Sequence, residues 1–208
     1  MKRWMVAALL LVALSAQAGE RGKGAWKEVQ DDDGITVWTR DVQGSSVREV
    51  KAQGAIDAPI DRIWDVLVSV EKYTEFMPYV LEAKVLERPS ASESVEYQRI
   101  DPPFVDMRDY VLRVQLDKNT TTGVYKRTWS PVEGKGPQPC SDCVRLTVVD
   151  GSWTLERVGE QQTLVTYYLY TDPGGSIPAW VANKANSTSV PDLLTAVKKR
   201  SLNPAYKR

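Results

Sequence analysis

Two spacings of hydrophobic residues divide the chain into strand-forming and helix-forming stretches. Apolar and polar residues alternate over residues 35–40 and 47–56, and a repeat of two is typical of a half-buried β-strand. From Ile60 to Leu67 the apolar residues instead recur every three or four positions, which predicts an amphipathic helix. Asp57 is predicted to cap the start of this helix.

A β-rich region follows and accounts for most of the remaining chain. Clusters of Gly, Pro, Asn, Asp and Ser bound most of its apolar stretches, as expected for strands joined by turns. The predicted strands cover residues 81–87, 94–100, 109–116, 124–129, 144–157 and 164–171. A long helix is predicted over residues 177–201, bent or divided at Pro191. This order predicts an α+β fold in which a curved antiparallel sheet wraps around a terminal helix.

The N-terminal residues 1–18 have the composition of a secretory signal peptide. Two basic residues precede an uncharged apolar run, and Ala16 and Ala18 provide the small residues of a cleavage motif. The apolar run is shorter than the ~20 residues that a membrane-spanning helix needs. We expect cleavage between Ala18 and Gly19, leaving a single domain over residues 19–208 in the periplasm or outside the cell.

The composition excludes several classes of site. The chain contains no His, so neither a Ser-His-Asp nor a Cys-His catalytic arrangement can form. A His-based zinc or non-haem iron site is excluded for the same reason. Lys plus Arg and Asp plus Glu are equal at 27 each, and this balance does not indicate a nucleic-acid partner. We expect no cofactor and no metal.

The two cysteines of the chain, Cys140 and Cys143, lie in a stretch rich in Gly and Pro. In an oxidising compartment we expect them to form a disulfide that closes a tight loop. A redox Cys-x-x-Cys motif is the alternative, although such motifs usually open a helix and this one precedes a predicted strand. A zinc site needs more ligands than these two residues supply.

Five short motifs follow one another in a defined order. They are Asp-Ala-Pro at 57–59 before a Trp-containing helix, Phe-Met-Pro-Tyr at 76–79, Arg-Asp-Tyr-Val at 108–111, Gly-Ser-Trp at 151–153 and the segment 172–183. In this order and spacing they resemble a START domain, the lipid-transfer module of the helix-grip (Bet v 1-like) superfamily. The resemblance extends from about Trp26 to Arg200.

The START resemblance implies a helix-grip fold in which the sheet and the C-terminal helix enclose an apolar cavity. It implies one hydrophobic ligand, such as a sterol, a fatty acid or a phospholipid, bound for transport, transfer or sensing in the cell envelope. No cofactor, no nucleic acid, transient membrane contact and a monomeric state are expected with it. Residues 130–143 match the position of the lid beside the C-terminal helix.

The candidate ligand-binding residues come from strands and from the long helix, where they share an apolar or aromatic face. They are Glu96, Arg108, Tyr110, Leu112, Val114, Tyr168, Tyr170, Ala182, Asn186, Val190 and Leu193. Ala182 is small and Asn186 is polar in an otherwise apolar row, which suits a cavity that orients one ligand. Ordinary core packing is the alternative for the tyrosines and the helix row, and structural ion pairing for Arg108.

One position departs from the START pattern. In START proteins that bind sterol or phosphatidylcholine, the strand begun by Arg-Asp carries a second Arg six residues after the first, facing the cavity. That position is Val114 here, and the nearest Arg, Arg113, lies on the opposite face because side chains alternate along a strand. This departure argues against carrying over the sterol or phosphocholine specificity of those proteins. A ligand with a less polar head group, or recognition of the head group from another strand, would fit the sequence.

Two other functions remain open at this point. Polyketide cyclases and aromatases share the helix-grip fold, and such an enzyme would need an inward acid–base pair. Glu96, Tyr97, Tyr168, Tyr170 and Arg108 are the nearby groups for it. An interaction module whose cavity is filled with side chains is the other alternative. We expect a lipid-binding protein without catalytic residues.

Overall fold

The computed structural model of this chain describes residues 21–175 and 177–204. The predicted signal peptide and its cleavage site lie outside these residues. The strands are β1 (Lys27–Asp32), β2 (Ile35–Arg40), β3 (Glu49–Ile56), β4 (Val80–Ser90), β5 (Glu93–Ile100), β6 (Arg108–Asn119), β7 (Val124–Pro131), β8 (Val144–Arg145), β9 (Val148–Gly159) and β10 (Gln162–Asp172). The helices are α1 (Ile60–Val68), α2 (Ala179–Leu202) and a short 3₁₀ helix (Val70–Glu75).

The strands form one sheet that is open at both edges. Its strand order is β1-β2-β3-β10-β9-β7-β6-β5-β4, and neighbours on this path are antiparallel. The short β8 pairs in parallel with the start of β6. Within the described residues the edge strands β1 and β4 do not pair with each other, so the sheet is not closed into a barrel. A large antiparallel sheet with a C-terminal helix confirms the predicted fold class.

The C-terminal helix α2 packs against β2, β3 and β10 and also contacts α1. Val190 and Leu194 of α2 join Ile63 and Leu67 of α1 in a core that is closed to solvent. Gly54 of β3 allows this close approach, because a Cβ atom there would lie 3.2 Å from Leu194 Cδ2. In the part of the chain that the structure describes, no helix has the length and hydropathy needed to cross a bilayer.

The N-terminal segment covers the outer face of β10, the face turned away from the helices. The ring of Trp26 meets Tyr168 edge-on, with 6.4 Å between centroids, and the guanidinium of Arg21 lies 5.1 Å from the centre of the Tyr170 ring. Glu49 is buried beneath this segment and accepts a hydrogen bond from Tyr168 Oη at 2.7 Å. Strand β10 is therefore covered on both faces, as its continuous apolar sequence predicts.

Some element boundaries differ from the sequence prediction. Asp57 does not cap α1: the helix begins after Pro59 without a side-chain cap, and Asp57 Oδ1 instead accepts a hydrogen bond from Gln162 Nε2 at 2.8 Å. The stretch 144–157, predicted as one strand, is divided between β8 and β9. Helix α2 is continuous through Pro191 and is not divided there.

Candidate functional site

A pocket lies between the inner face of the sheet and the first half of α2. Its volume is about 150 Å³. The wall is largely apolar, and its aromatic members are Tyr73, Tyr79, Tyr110, Trp129, Trp153 and Tyr167. Such a concave, mostly apolar site with a few polar groups is typical of a small-molecule binding site.

The structure brings six of the sequence candidates together in this pocket. They are Arg108, Tyr110 and Leu112 of β6 and Ala182, Asn186 and Leu193 of α2. On β6 the alternation of side chains therefore points the expected face inward. On α2 the lining also includes Ala185 and Ser189, which complete the same helical face.

The other five candidates lie outside the pocket wall. They are Glu96, Val114, Tyr168, Tyr170 and Val190. Val114 and Val190 are fully buried in the core, where neighbouring side chains pack against them. On β10 the inward residues are Tyr167, Leu169 and Thr171, so the predicted inward face of this strand is the wrong one. Because both faces of β10 are apolar, alternation alone does not distinguish them.

The stretch 130–143, predicted as the lid, lies on the other side of the sheet. Val132 packs against the cluster of Val95, Tyr97 and Val111 on the outer face of β5 and β6. Lys135 Nζ forms an ion pair with Glu87 at 2.8 Å on the same side. None of its described residues lines the pocket. Its Gly and Pro content indicated a loop but gave no information about which face the loop covers.

The disulfide partners Cys140 and Cys143 lie within this outer loop. Their Sγ atoms are bonded, and their Cα atoms are 5.1 Å apart. The backbone N–H of Cys143 also donates to the carbonyl oxygen of Cys140 at 3.2 Å, which closes a tight turn. The disulfide therefore belongs to the outer surface of the sheet and not to the pocket.

Different segments border the pocket near the first half of α2. Pro102 and Val105 from the β5–β6 connection and Pro173 after β10 contribute to its wall. Tyr79, which has a φ of 66°, contributes from the turn before β4 and donates a hydrogen bond from Oη to Asp192 of α2. These segments hold the position that the sequence analysis assigned to the lid.

A buried ion pair lies at the inner end of the pocket. Arg127 of β7 lines the pocket and donates through Nη2 to Glu96, and Glu96 also accepts from Ser94 Oγ at 2.7 Å. Both charged side chains are less than 5% exposed. Burial alone would lower the pKa of Arg127, because it disfavours the charged guanidinium. The electrostatic effects of Glu96 and of the surrounding tyrosines, Tyr73 foremost, are larger in sum, so the pKa of Arg127 is raised.

Arg127 is the charged residue of the pocket wall that the sequence analysis missed. The family's cavity-facing Arg is replaced by Val114 on β6, and an Arg enters the pocket from the neighbouring strand instead. A signal for this was present, because Tyr125, Arg127 and Trp129 alternate on one face of β7. A single cation between two aromatic residues on an inward face indicates a buried, partnered charge.

Three tyrosines lie near this ion pair: Tyr73 and Tyr167 are buried, and Tyr110 is partly buried. Burial raises the pKa of Tyr73 to about 12 and also raises the pKa values of Tyr110 and Tyr167. Tyr73 Oη donates to Leu67 O at 2.6 Å, and Tyr110 Oη donates to Gln98 Oε1 at 3.1 Å. These phenols stay protonated far above neutral pH, so they do not suit general acid–base catalysis there.

The second buried arginine of the pocket, Arg108, is held by carbonyl oxygens. Arg108 is 1% exposed, and it donates to Asp106 O through Nη1 and to Pro173 O through Nε at 3.3 Å. The carboxylate of Asp106 is 4.0 Å from Nη1 and its side chain is 84% exposed. Burial lowers the pKa of Arg108, which is the direction expected for a cation with little compensation.

The sequence of the pocket-forming region matches a known family. Residues 56–198 match the profile of the family described as polyketide cyclase / dehydrase and lipid transport. The chain belongs to this family. Every pocket-lining residue lies within the matched range.

Proteins similar in sequence to this chain include proteins named for START domains or for lipid transfer. An uncharacterized protein of Pseudomonas aeruginosa is 32% identical over 181 residues, which cover 84% of this chain and 86% of that protein. Phosphatidylcholine transfer protein of Bos taurus is 28% identical over 189 residues, covering 88% of this chain and 86% of that protein. Human START domain-containing protein 10 is 24% identical, and the chain spans 64% of its length.

A solved structure shows the same fold. The crystal structure of a STAR-related lipid transfer protein from Xanthomonas axonopodis (fragment 25–204) superposes with a TM-score of 0.77. The two sequences are 27% identical, and the match covers 86% of this chain and 99% of that one. The START resemblance inferred from the five motifs is confirmed.

Proposed function

We propose that this protein binds one hydrophobic small molecule, a lipid, in the pocket between the sheet and α2, and carries it within the cell envelope. The observation that supports the proposal most directly is the apolar and aromatic wall of that pocket in a member of a lipid-transport family. Relatives named for lipid transfer support it further. The pocket also argues against an interaction module with a filled interior.

Binding a long-chain lipid requires the pocket to expand. Its volume of about 150 Å³ is below the ~300–1,000 Å³ of typical ligand sites. The first half of α2 is the element best placed to move, because it lines the pocket and packs through small residues, Ala182 and Ala185. Pro191 lacks the N–H group of a regular helical hydrogen bond and gives α2 a natural bending point.

A binding role fits the polar groups of the pocket better than catalysis as a cyclase. The carboxylate of Glu96 is committed to Arg127 and Ser94, so it is not available as a free base. The raised pKa values of Tyr73 and Tyr110 keep these phenols protonated near neutral pH. An acid–base catalyst needs a group that titrates near the working pH.

We also propose export of the protein through its signal peptide, residues 1–18. The support is the basic start, the apolar run and the small residues before Gly19. N-terminal sequencing of the protein from its own host should begin at Gly19. A mature protein that begins at Met1 and stays in the cytoplasm would contradict this localisation.

Ala182→Trp tests the binding proposal. Ala182 is 2% exposed and lines the pocket, so an indole there should occupy the ligand volume. We expect uptake of a fluorescent fatty acid or phospholipid to fall about 10-fold or more, with a loss of stability below the ~1–3 kcal/mol of an overpacked core. Thr188→Trp, on the exposed face of α2, is the matched control.

The same pair of variants can refute the proposal. Unchanged lipid uptake in Ala182→Trp, together with a large drop in thermal stability, would mean that residue 182 lies in a close-packed core. Equal loss of uptake in Thr188→Trp would mean that the bulk of the indole acts on the helix and not on the pocket.

A further inference from the structure

Two buried arginines line the pocket, and their positive charges are neutralised to different extents. Arg127 has its own carboxylate, because Glu96 is buried beside it and accepts its hydrogen bond. Arg108 is at least as buried, yet its nearest carboxylate is the exposed Asp106 at 4.0 Å. A buried charge is costly unless it is paired and hydrogen-bonded. A negatively charged group bound beside Arg108 would therefore be stabilising.

The free donor of Arg108 is in the pocket region. Nη1 and Nε donate to the carbonyl oxygens of Asp106 and Pro173, whereas Nη2 is buried and has no hydrogen-bond partner among the described residues. A Cβ atom at Gly175 would lie 3.9 Å from Nη2, so the backbone of the turn after β10 approaches this nitrogen without a side chain. Gly175 has a φ of 71°, a conformation that disfavours other residues.

Other unpartnered donors line the same pocket. Thr171 Oγ1, Asn186 Nδ2 and Arg127 Nε are also buried, and within residues 21–175 and 177–204 they have no hydrogen-bond partner. Each of these atoms can donate a hydrogen bond, and the guanidinium and amide nitrogens among them can only donate. A pocket with surplus donors and a surplus positive charge suits a ligand that brings acceptor oxygens and negative charge.

We propose that the ligand carries a phosphate or carboxylate group and that Arg108 binds this group at the end of the pocket beside the turn after β10. Oxyanions suit a guanidinium because two or more acceptor oxygens match its planar array of donors. The hydrocarbon part of the ligand would then lie along Leu112, Trp129 and Trp153. This inference rests on the proposed lipid-binding function and names the chemical class of its ligand.

A purely structural role for Arg108 makes a different prediction. Its bonds to Asp106 O and Pro173 O tie the β5–β6 connection to the turn after β10. If this tie is its whole role, replacing Arg108 will change stability without changing the preference between anionic and neutral ligands. The test therefore measures ligand preference and not affinity alone.

The experiment compares two matched pairs of probes on the full mature chain. Dioleoyl phosphatidic acid is paired with dioleoylglycerol, and oleate with oleyl alcohol. The readout is the change in intrinsic tryptophan fluorescence, to which Trp129 and Trp153 in the pocket wall contribute. We expect the anionic member of at least one pair to bind about 10-fold tighter, which corresponds to one charge-assisted hydrogen bond or more. A preference for phosphatidic acid over dioleoylglycerol would identify phosphate as the bound group. A preference for oleate over oleyl alcohol would identify carboxylate.

Variants assign the preference to Arg108. Arg108→Gln should remove it, Arg108→Lys should keep part of it, and Arg113→Gln, on the outer face of the same strand, should leave it intact. If the neutral and anionic probes bind the wild type equally, or if a folded Arg108→Gln variant keeps the preference, the inference is overturned while lipid binding stands. If none of the four probes binds, the proposed function fails with it. Equal binding of neutral and anionic probes by the wild type overturns the inference even where Arg108→Gln does not fold, and Arg108→Lys then serves as the variant that assigns the preference.

Discussion

At the residue scale, the pocket of this START-family protein depends on how its buried charges are compensated. Arg127 and Glu96 neutralise each other in a site that excludes water. Their mutual attraction offsets the cost of burying both, but removing one partner leaves an uncompensated charge in the interior. The pair is therefore more sensitive to substitution than an exposed ion pair on the same strand.

Glu96→Gln should destabilise the protein by about 3–5 kcal/mol, because it leaves Arg127 buried without a countercharge. Glu93→Gln is the matched control, since Glu93 lies on the same strand and pairs with Arg113, which is 47% exposed. This control should cost less than about 1 kcal/mol. Urea unfolding of both variants measures the difference. Equal losses would show that the buried pair has no special importance.

The buried tyrosines predict a loss of stability in alkaline solution. The pKa of Tyr73 is raised from 10.0 to about 12 in the folded protein, mainly by burial. The unfolded chain loses this proton at lower pH, so the free energy of unfolding should stay constant up to about pH 10 and decrease from there to about pH 12. Tyr110 and Tyr167 act in the same direction.

Denaturant titrations across this pH range measure the effect. Tyr73→Phe should make the alkaline decrease shallower, because one of the buried phenols is removed. A free energy of unfolding that stays level through this range would contradict the assigned burial of the three phenols.

At the element scale, α2 has two halves with different roles. The second half is fixed in the core by Leu194 and Val197, which are closed to solvent. The first half lines the pocket and is tied to the loop before β3 by Asn183. The side-chain amide of Asn183 accepts from Arg48 N at 2.8 Å and donates to Ser46 O at 3.1 Å. If α2 opens to admit a ligand, this tie must break.

Asn183→Ala should therefore speed lipid uptake and release. Asn119→Ala is the matched control, because Asn119 also makes two side-chain hydrogen bonds to backbone, within the β6–β7 turn. Each variant should lose about 1–2 kcal/mol of stability. A stopped-flow lipid-transfer assay distinguishes them. Equal transfer rates in the two variants would show that the first half of α2 does not limit entry.

Sequence patterns predicted those elements that bury one face. The alternation in Ile35–Arg40 matches β2 residue for residue, and α2 lies within two residues of its predicted bounds. Strand β1 was missed because all of its residues are exposed and no hydrophobic pattern distinguishes it. The inward face of β10 was chosen wrongly for the opposite reason, because both of its faces are covered.

At the scale of the whole molecule, the pocket depends on contacts that local patterns do not encode. Hydrophobic patterns predicted the sheet and the long helix, and the START resemblance implied a cavity between them. Shared strand and helix faces predicted six pocket-lining residues on β6 and α2. They did not indicate that Arg127 would enter from β7 or that residues 130–143 would cover the outer face. Both facts follow from strand order and register, which bring distant segments together.

Lipid binding means that the protein holds one lipid in the pocket between the sheet and α2. Mass spectrometry of an organic extract of the protein, purified from its own host, tests this claim most directly. We expect about one lipid per chain in the wild type and in Thr188→Trp, and a strongly depleted extract from Ala182→Trp. An extract without lipid, or equal lipid content in Ala182→Trp and the wild type, would contradict it.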